Sequence, residues 1–352
     1  MKKTFLLLFV FGLSAAFPVS AIELANHHEH EVRIETSDPS VVLAGTLLMP
    51  GKSFEGKVVL MITGSGDHTR DQIISGTPMF KILAQGLADA GIASLRLDDR
   101  GTGASTGPTT RESTTADRTN DMMAAIDWLR NGELASFSSL GVLGHSEGAL
   151  ITIQLAARGV KPDFAILLAA PTRAGSEVWI SQQVGGLEAG GFDSLVVRDG
   201  ERYIREAVRL SVEGAEPEEM KENTRRMFQL IGVDTQTEEG EKNVEGFIAH
   251  MTQPWMRYFL EYDPASDLNH LTMPVLAIYG SHDRQTIPRL NAPKLLEGLL
   301  LSDNNQFTFT IMPEQDHFFL RKPGEPVGVH VFQEMVLSKE LIHEVSHWIR
   351  AK

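Results

Sequence analysis

The sequence predicts an α/β fold, in which helices flank a mostly parallel central sheet and a helical cap is inserted. Segments with strand patterns and segments with helix patterns alternate along the first half of the chain, as a parallel sheet requires. Several strand segments are short continuous apolar runs, which is typical of strands buried on both faces. The alternation stops near residue 173 and resumes near residue 268, so we predict a core of residues 22–172 and 268–352 and a cap of residues 173–267.

The predicted elements before the cap follow a regular order. Residues 31–36 and 41–49 form two strands joined by a turn at Asp38-Pro39-Ser40, where proline and small polar residues favour a turn. The other strands of this half are predicted over residues 57–63, 93–97, 140–143 and 164–169. Helices are predicted over residues 80–90, 115–130 and 149–157, because apolar residues recur there every three or four positions.

The same alternation returns after the cap. Residues 274–279 and 307–311 have strand patterns, and residues 292–301 and 338–350 have helix patterns. The cap between the two parts is acidic and helix-like, and we find no clear strand pattern in it. The simplest interpretation is one sheet domain interrupted by a helical insertion.

The first 21 residues have the features of a secretory signal peptide. Lys2 and Lys3 provide a basic start, residues 5–11 form an apolar run, and VSA at residues 19–21 is a small-residue cleavage site. The apolar run is too short to cross a bilayer comfortably, and no later segment is apolar enough. We therefore expect an exported protein, periplasmic or secreted, whose mature chain begins at Ile22 and has no membrane span.

The composition excludes several classes of function. The formal net charge is −14 without a basic cluster, so nucleic acid is not an expected partner. The chain contains no cysteine, which rules out disulfides, a thiol nucleophile and cysteine-ligated metals. His27, His28 and His30 are interpreted as part of a mobile polar start, with metal binding as the alternative. No metal or organic cofactor is expected.

Residues 144–148 (GHSEG) match the G-x-S-x-G nucleophile elbow. In this motif the serine occupies a tight turn between a strand and a helix, and the flanking glycines let the two elements approach closely. The context here is suitable, because a strand pattern enters the motif and a helix pattern leaves it from Glu147. The sequence therefore predicts Ser146 as a catalytic nucleophile.

A serine hydroxyl needs a base, and the base needs an acid that orients it. In this type of fold the chain order is serine, acid and then histidine, each after a strand. Asp283 and His317 follow the strands predicted over residues 274–279 and 307–311. Asp316 is the competing acid, but the side chains of neighbouring residues usually diverge. We therefore predict a triad of Ser146, Asp283 and His317.

Acyl transfer also requires N–H donors for the developing oxyanion. One donor is expected to be the backbone N–H of Glu147, directly after the serine, and the other should come from the glycine-rich loop at residues 63–67. We favour the Ser65 amide, with Gly66 as the alternative. His68 is a candidate for lining the same site, and DDRGTG at residues 98–103 is interpreted as a structural loop beside it.

These motifs resemble the α/β-hydrolase superfamily, and more narrowly the bacterial exported hydrolases grouped with serine aminopeptidase-like and bile-acid-CoA thioesterase-like enzymes. The resemblance covers most of the mature chain. It rests on GSGD at residues 64–67 with RD at 70–71, LRLDDRGTG at 95–103, GHSEG at 144–148, PWMRYFL at 254–260 and YDP at 262–264. It implies an α/β-hydrolase fold, an esterase activity and the triad Ser146, Asp283 and His317. The chain departs from such relatives at His282 and Asp316.

The leading functional hypothesis is a carboxylesterase that forms an acyl-enzyme on Ser146 and acts on small-molecule esters. A peptidase acting on short peptides and a thioesterase are the alternatives, because both reactions use the same machinery. A binding protein without catalysis is a rival from another class, but such proteins usually lose a triad member.

The cap is expected to cover the site and to set the preference for the acyl group. Five apolar cap residues recur at helical spacing, so some of them must face apolar surroundings. They are Phe247, Ile248, Met251, Trp255 and Phe259. We predict that Met251 and Trp255 bind the substrate, with packing onto the sheet domain as the alternative.

Overall fold

A central sheet of eight strands organises the protein. The computed structural model describes residues 27–51, 54–132, 136–302, 304–321 and 335–352. The predicted signal peptide, residues 1–21, lies outside the described residues. Among the helices that the structure describes, none is long and apolar enough to cross a membrane.

The strands are β1 His28–Glu35, β2 Val42–Met49, β3 Lys57–Ile62, β4 Ala93–Leu97, β5 Ser139–His145, β6 Phe164–Leu168, β7 Val275–Gly280 and β8 Phe307–Met312. They run in the spatial order β1-β2-β4-β3-β5-β6-β7-β8. Strand β2 pairs antiparallel with β1 and with β4, and the pairs from β4 through β3 to β8 are parallel. This arrangement confirms the predicted mostly parallel sheet.

Helices cover both faces of this sheet. The helices of the core are α1 Met79–Asp89, α2 Thr115–Asn131, α3 Glu147–Ala157, α9 Pro288–Leu301 and α10 Lys339–Arg350. Because side chains alternate along a strand, Val59 of β3 packs with α1 and α10 while Val58 and Leu60 pack with α2 and α3. Both strand faces are therefore apolar, as the continuous apolar runs of the sequence indicated.

Five helices form the insertion between β6 and β7. They are α4 Gly175–Ala189, α5 Ser194–Val212, α6 Pro217–Leu230, α7 Glu238–Met251 and α8 Pro254–Glu261. The chain marks several of their starts. The side chains of Asp193 and Thr237 cap α5 and α7, and proline occupies the first position of α6 and α8. The buried residues of this cap join the core cluster around α3 and α9.

Several element boundaries differ from the prediction for identifiable reasons. The fifth strand extends to His145 and α3 begins at Glu147, because a single residue makes the turn between them. Helix α9 begins at Pro288 rather than at residue 292, since proline is well tolerated at a first helical position. His28 and His30 belong to the paired strand β1, which corrects the expectation of a mobile start.

Candidate active site

The predicted nucleophile, Ser146, occupies a strained turn between β5 and α3. Its backbone angles are φ 54° and ψ −118°, a conformation that residues with a side chain rarely adopt. The turn is held by a hydrogen bond in which the Ser146 N–H donates to the Leu168 carbonyl at 2.9 Å. A Cβ atom on Gly144 would lie 2.1 Å from the Gly148 carbonyl oxygen, so the elements meet too closely for any larger residue.

His317 lies between Ser146 and Asp283. Its Nε2 is 3.0 Å from Ser146 Oγ and its Nδ1 is 2.8 Å from Asp283 Oδ2. The two predicted partners come from the loops after β7 and β8, which end at the same sheet edge as β5. The structure therefore brings together the three residues that the sequence selected.

Asp283 is fixed by a turn of its own loop. Its Oδ1 accepts the N–H groups of Gln285 and Thr286 at 2.7 and 2.8 Å, and its Oδ2 accepts the Thr286 hydroxyl at 2.6 Å. Burial raises the pKa of this carboxyl, but the neighbouring His317 and these hydrogen bonds outweigh burial and hold the pKa below its usual value. Asp283 is therefore ionised where it contacts His317.

Asp316 has a different role from Asp283. Its Oδ1 accepts the backbone N–H groups of Phe318 and Leu320 at 3.0 and 3.1 Å, which shapes the turn after β8. This carboxylate thus holds the loop that carries His317, while Asp283 contacts the imidazole.

His145, the residue before the nucleophile, has a polar partner at each ring nitrogen. Its Nδ1 lies 2.8 Å from Gln72 Nε2 and its Nε2 lies 2.8 Å from the His317 carbonyl oxygen. An amide nitrogen only donates and a carbonyl only accepts, so Nδ1 accepts and Nε2–H donates. Burial and the nearby His317 lower the pKa of His145 to about 3. The neutral ring therefore anchors the backbone of His317.

The loop after β3 lies against the nucleophile turn. A Cβ atom built on Gly64 would lie 3.4 Å from the Ser146 Cβ. Ser65 follows directly, and Gly66 has φ 110°, a conformation that favours glycine. Glu147 is the first residue of α3, and an N–H group at a helix start has no acceptor inside the helix. Both predicted oxyanion donors thus belong to segments that adjoin Ser146.

A buried arginine beneath this loop was not predicted from the sequence. Arg118, on α2, bonds with Glu147, with Asp99 and with the carbonyl groups of Thr63 and Gly64. Burial lowers the pKa of its guanidinium, but the two carboxylates outweigh burial and keep it above its ordinary value.

The sequence contained one signal for Arg118. It stands four residues before Met122 on α2, on the helical face that carries the buried apolar residues. A charged residue at such a position requires a buried partner.

The loop at residues 98–103 uses its charges in ion pairs. Asp98 binds Arg70, Asp99 accepts from the Thr63 hydroxyl at 2.6 Å, and Arg100 forms a two-bond pair with Asp121. His68 folds back onto the loop after β3, where its Nε2 lies 2.9 Å from the Ser65 carbonyl oxygen. These contacts support the interpretation of a structural loop.

The two predicted substrate-binding residues of the cap have different environments. Trp255 is half-buried and donates from its indole Nε1 to Glu147 Oε1 at 2.9 Å, beside the nucleophile turn. Met251 has no exposed surface and packs inside the apolar cluster of the cap. This burial agrees with the packing alternative for Met251, which is the last residue of α7, whereas Trp255 lies on α8. The role of Met251 in substrate binding stays a prediction.

Metal binding was the alternative explanation for the N-terminal histidines. Among residues 27–51, 54–132, 136–302, 304–321 and 335–352, no group of three or more histidine or carboxylate side chains is placed to hold a metal ion. His27 instead pairs with Asp89, with 3.0 Å between Nε2 and Oδ1.

The comparisons with known proteins agree with this fold. The sequence profile of the X-Pro dipeptidyl-peptidase (S15) family matches residues 26–299. The chain belongs to this family. It is also 26% identical over 307 residues to Esterase EstD of Thermotoga maritima, covering 87% of this chain and 65% of that protein. The chain therefore spans about two thirds of the length of this curated relative.

Solved structures extend the comparison to the whole fold. The esterase Pf2001 of Pyrococcus furiosus is 16% identical, with a TM-score of 0.55 and coverage of 92% of this chain and 91% of that one. The proline iminopeptidase of Mycobacterium smegmatis is 13% identical, also with a TM-score of 0.55, covering 92% and 98%. Together with the family match and the similarity to Esterase EstD, these likenesses of fold confirm the predicted α/β-hydrolase superfamily. The narrower group named from the sequence stays a prediction.

Proposed function

We propose that the protein is a serine hydrolase that cleaves carboxylic esters through an acyl-enzyme on Ser146. The observation that carries this proposal is the position of His317, which is within hydrogen-bonding distance of both Ser146 Oγ and Asp283 Oδ2. The similarity to Esterase EstD supports ester substrates. The family match supports hydrolysis of an acyl bond in general.

In this reaction His317 Nε2 takes the proton of the Ser146 hydroxyl while Oγ attacks the carbonyl carbon of the ester. The carbonyl oxygen becomes an oxyanion, which accepts hydrogen bonds from the backbone N–H groups of Glu147 and Ser65. Collapse of this intermediate breaks the bond to the alcohol, which leaves with the proton from His317. A water molecule then repeats the sequence and releases the carboxylic acid. Asp283 stabilises the imidazolium in both halves.

Peptide hydrolysis is the second candidate, because the family match names a dipeptidyl-peptidase. A peptidase that recognises a free amino terminus uses a carboxylate that is open to the substrate. Two carboxylates of the segments that adjoin the nucleophile turn have protein partners: Glu147 binds Arg118, and Asp67 binds Arg111 and the Thr110 hydroxyl. This pairing favours an uncharged ester over a charged peptide terminus.

The experiment that separates these candidates compares turnover of a p-nitrophenyl ester, a p-nitrothiophenyl thioester and an X-Pro p-nitroanilide. Each reaction is followed by the absorbance of its own leaving group. Ester turnover that exceeds amide turnover by orders of magnitude, and that disappears in Ser146→Ala, supports the proposal. Preferential cleavage of X-Pro amides would replace the esterase assignment with the peptidase.

We also propose that the protein is exported. The basic start, the short apolar run and the VSA cleavage pattern within the first 21 residues support this location. Intact mass of material recovered outside the cytoplasm should correspond to a chain beginning at Ile22. Recovery of exported protein that retains residues 1–21 would contradict the cleavage.

A further inference from the structure

One guanidinium group joins the two segments that would hold the oxyanion. Nη1 of Arg118 donates to the Gly64 carbonyl oxygen at 3.1 Å and to Glu147 Oε2 at 3.0 Å. Nη2 donates to the Thr63 carbonyl oxygen at 3.2 Å and to Asp99 Oδ1 at 3.1 Å. Arg118 is 3% exposed and Glu147 is 1% exposed, so solvent does not compete for these bonds. A single nitrogen, Nη1, thus bonds with both segments that carry the predicted oxyanion donors.

The bond to Gly64 acts on the orientation of the Ser65 amide. The Gly64 carbonyl and the Ser65 N–H belong to the same peptide unit, which is planar and has its C=O and N–H directed oppositely. Fixing the carbonyl on the Arg118 side therefore fixes the direction of the N–H on the other side. Gly64 has no side chain that could hold the peptide, so the bond to Arg118 supplies that constraint.

The bond to Glu147 acts on the second amide. Glu147 Oε1 accepts the Thr115 hydroxyl at 2.6 Å and the Trp255 indole N–H at 2.9 Å, while Oε2 binds Arg118. Three partners thus hold the side chain of the residue whose own backbone N–H would face the oxyanion. One of these partners, Trp255, belongs to the cap helix α8.

We propose that Arg118 is a positioning residue for the oxyanion hole, and that Trp255 connects the position of the cap to this hole through Glu147. The inference rests on the proposed function, because it assumes that an oxyanion forms beside Ser146. Arg118 does not touch the reacting atoms. It acts through the peptide of Gly64 and Ser65 and through the side chain of Glu147.

A purely structural role is the competing explanation. The loss of a buried arginine that pairs with two carboxylates destabilises a protein wherever the arginine lies. The chain offers a matched control. Arg100 is 5% exposed and donates to both oxygens of Asp121 at 2.8 Å and to the Ser113 hydroxyl at 3.1 Å. Within the part of the chain that the structure describes, Arg100 forms no hydrogen bond to the loop after β3 or to Glu147. Arg118→Lys and Arg100→Lys both keep a buried positive charge, and each replaces the forked donor with a single ammonium group.

The test measures turnover of a p-nitrophenyl ester and inhibition by a phenylboronic acid, which forms a tetrahedral adduct with an activated serine. We expect Arg118→Lys to lower kcat by about 10²-fold and to weaken boronate inhibition by about the same factor, because both require the oriented amides. KM should stay near the wild-type value, and so should the pH at which kcat falls on the acid side of the pH–rate profile, because the hydrogen bonds of His317 to Ser146 and Asp283 are retained. Arg100→Lys should change kcat and boronate inhibition by no more than about threefold.

Trp255→Phe tests the connection to the cap. Phenylalanine retains an aromatic ring that can stack on Phe259, whose ring is 5.6 Å away at an angle of 13°, but it is smaller than indole and lacks the N–H that binds Glu147. We expect kcat and boronate affinity to fall together by about three- to tenfold. The control is Trp179→Phe, a buried cap tryptophan in contact with Phe247. It should leave both quantities within about twofold.

The outcomes separate this inference from the proposed function. Wild-type kcat and boronate affinity in folded Arg118→Lys, or losses equal to those of Arg100→Lys, would overturn the positioning role. If Arg118→Lys does not fold, Glu147→Gln, which removes the charge that Arg118 binds, should show the paired losses, and their absence would overturn the role equally. A wild-type protein without Ser146-dependent ester turnover would instead overturn the proposed function.

Discussion

His317 Nε2 lies 3.0 Å from Ser146 Oγ, although 171 positions separate the two residues in the chain. The sheet explains this meeting, because β5 and β8 are parallel members of one sheet and the loops at their carboxyl ends lie at one edge. Asp283 reaches the same place from the end of β7. The three residues therefore meet because of the strand order and not because they are close in the chain.

The first prediction concerns the Ser146 hydroxyl. Ser146→Ala should fold normally and lose ester turnover by about 10³-fold or more, because the attacking atom is removed. A fluorophosphonate probe followed by peptide mass spectrometry should label Ser146 in the wild type. Ser281, another hydroxyl at the same sheet edge, provides the control variant Ser281→Ala, which should retain turnover. Labelling at a different residue would contradict the assignment of the nucleophile.

The second prediction separates the two carboxylates near His317. Asp283→Asn should lower kcat by about 10²-fold or more, since an amide cannot stabilise the imidazolium and favours the wrong tautomer. Asp316→Asn should cost about tenfold or less, because its Oδ1 accepts the backbone N–H groups of Phe318 and Leu320, while Asp283 is the carboxylate that contacts the imidazole Nδ1. Turnover at one pH, after circular dichroism has shown that each variant is folded, gives the comparison. The reverse ranking would assign the orienting acid to Asp316.

The third prediction concerns the close contact that the nucleophile turn makes with β3. A Cβ atom on Gly148 would lie 2.1 Å from the Ile62 carbonyl oxygen, and this atom belongs to backbone that cannot rotate away. Gly148→Ala should therefore lower the free energy of unfolding by about 1–3 kcal/mol and lower turnover.

Gly185→Ala is the matched control for this substitution. Gly185 lies within helix α4, and its added Cβ would meet nothing within 4 Å. This variant should be neutral or more stable by up to about 1 kcal/mol, because alanine favours a helix interior. Urea unfolding of both variants measures the difference. Equal effects would show that the contact with the Ile62 carbonyl does not restrict which residue can occupy position 148.

The sequence was informative where one residue pattern determines one structural outcome. Continuous apolar runs such as residues 57–62 require burial on both faces, so the strands and their order along the chain were predictable. The triad followed from the same reasoning, because Ser146, Asp283 and His317 each follow a strand. These inferences need only the order of elements and the rule that parallel strands end at one edge.

The roles of Arg118 and His145 could not be predicted in this way. Arg118 bonds with groups 55 positions away at Thr63 and 29 positions away at Glu147, and His145 bonds with Gln72, 73 positions away. Such contacts depend on the depth and tilt of helices that no local pattern specifies. For Met251, helical spacing indicated apolar surroundings but could not tell a protein contact from a substrate contact.

The last prediction uses the buried histidine beside the nucleophile. The pKa of His145 falls to about 3 in the folded protein, against 6.5 for an ordinary histidine, because burial disfavours the charged ring. Between these two values the unfolded chain binds a proton that the folded protein excludes. The stability that this group contributes is therefore fully present above about pH 6.5 and is lost progressively as the pH falls toward 3.

We expect the free energy of unfolding of the wild type to fall by about 2 kcal/mol between pH 7.5 and pH 5 on account of His145, since each pH unit below 6.5 costs about 1.4 kcal/mol. His145→Gln removes the titrating ring, and its amide can still bridge Gln72 and the His317 carbonyl. Between pH 7.5 and pH 5, the free energy of unfolding of this variant should fall by about 2 kcal/mol less than that of the wild type, whatever its value at pH 7.5. Urea unfolding at both pH values measures the difference.

His282 is an exposed histidine in the loop after β7, so His282→Gln controls for the loss of any histidine. An unchanged pH dependence in His145→Gln would mean that the ring is protonated in the folded protein and that Nδ1 does not accept from Gln72.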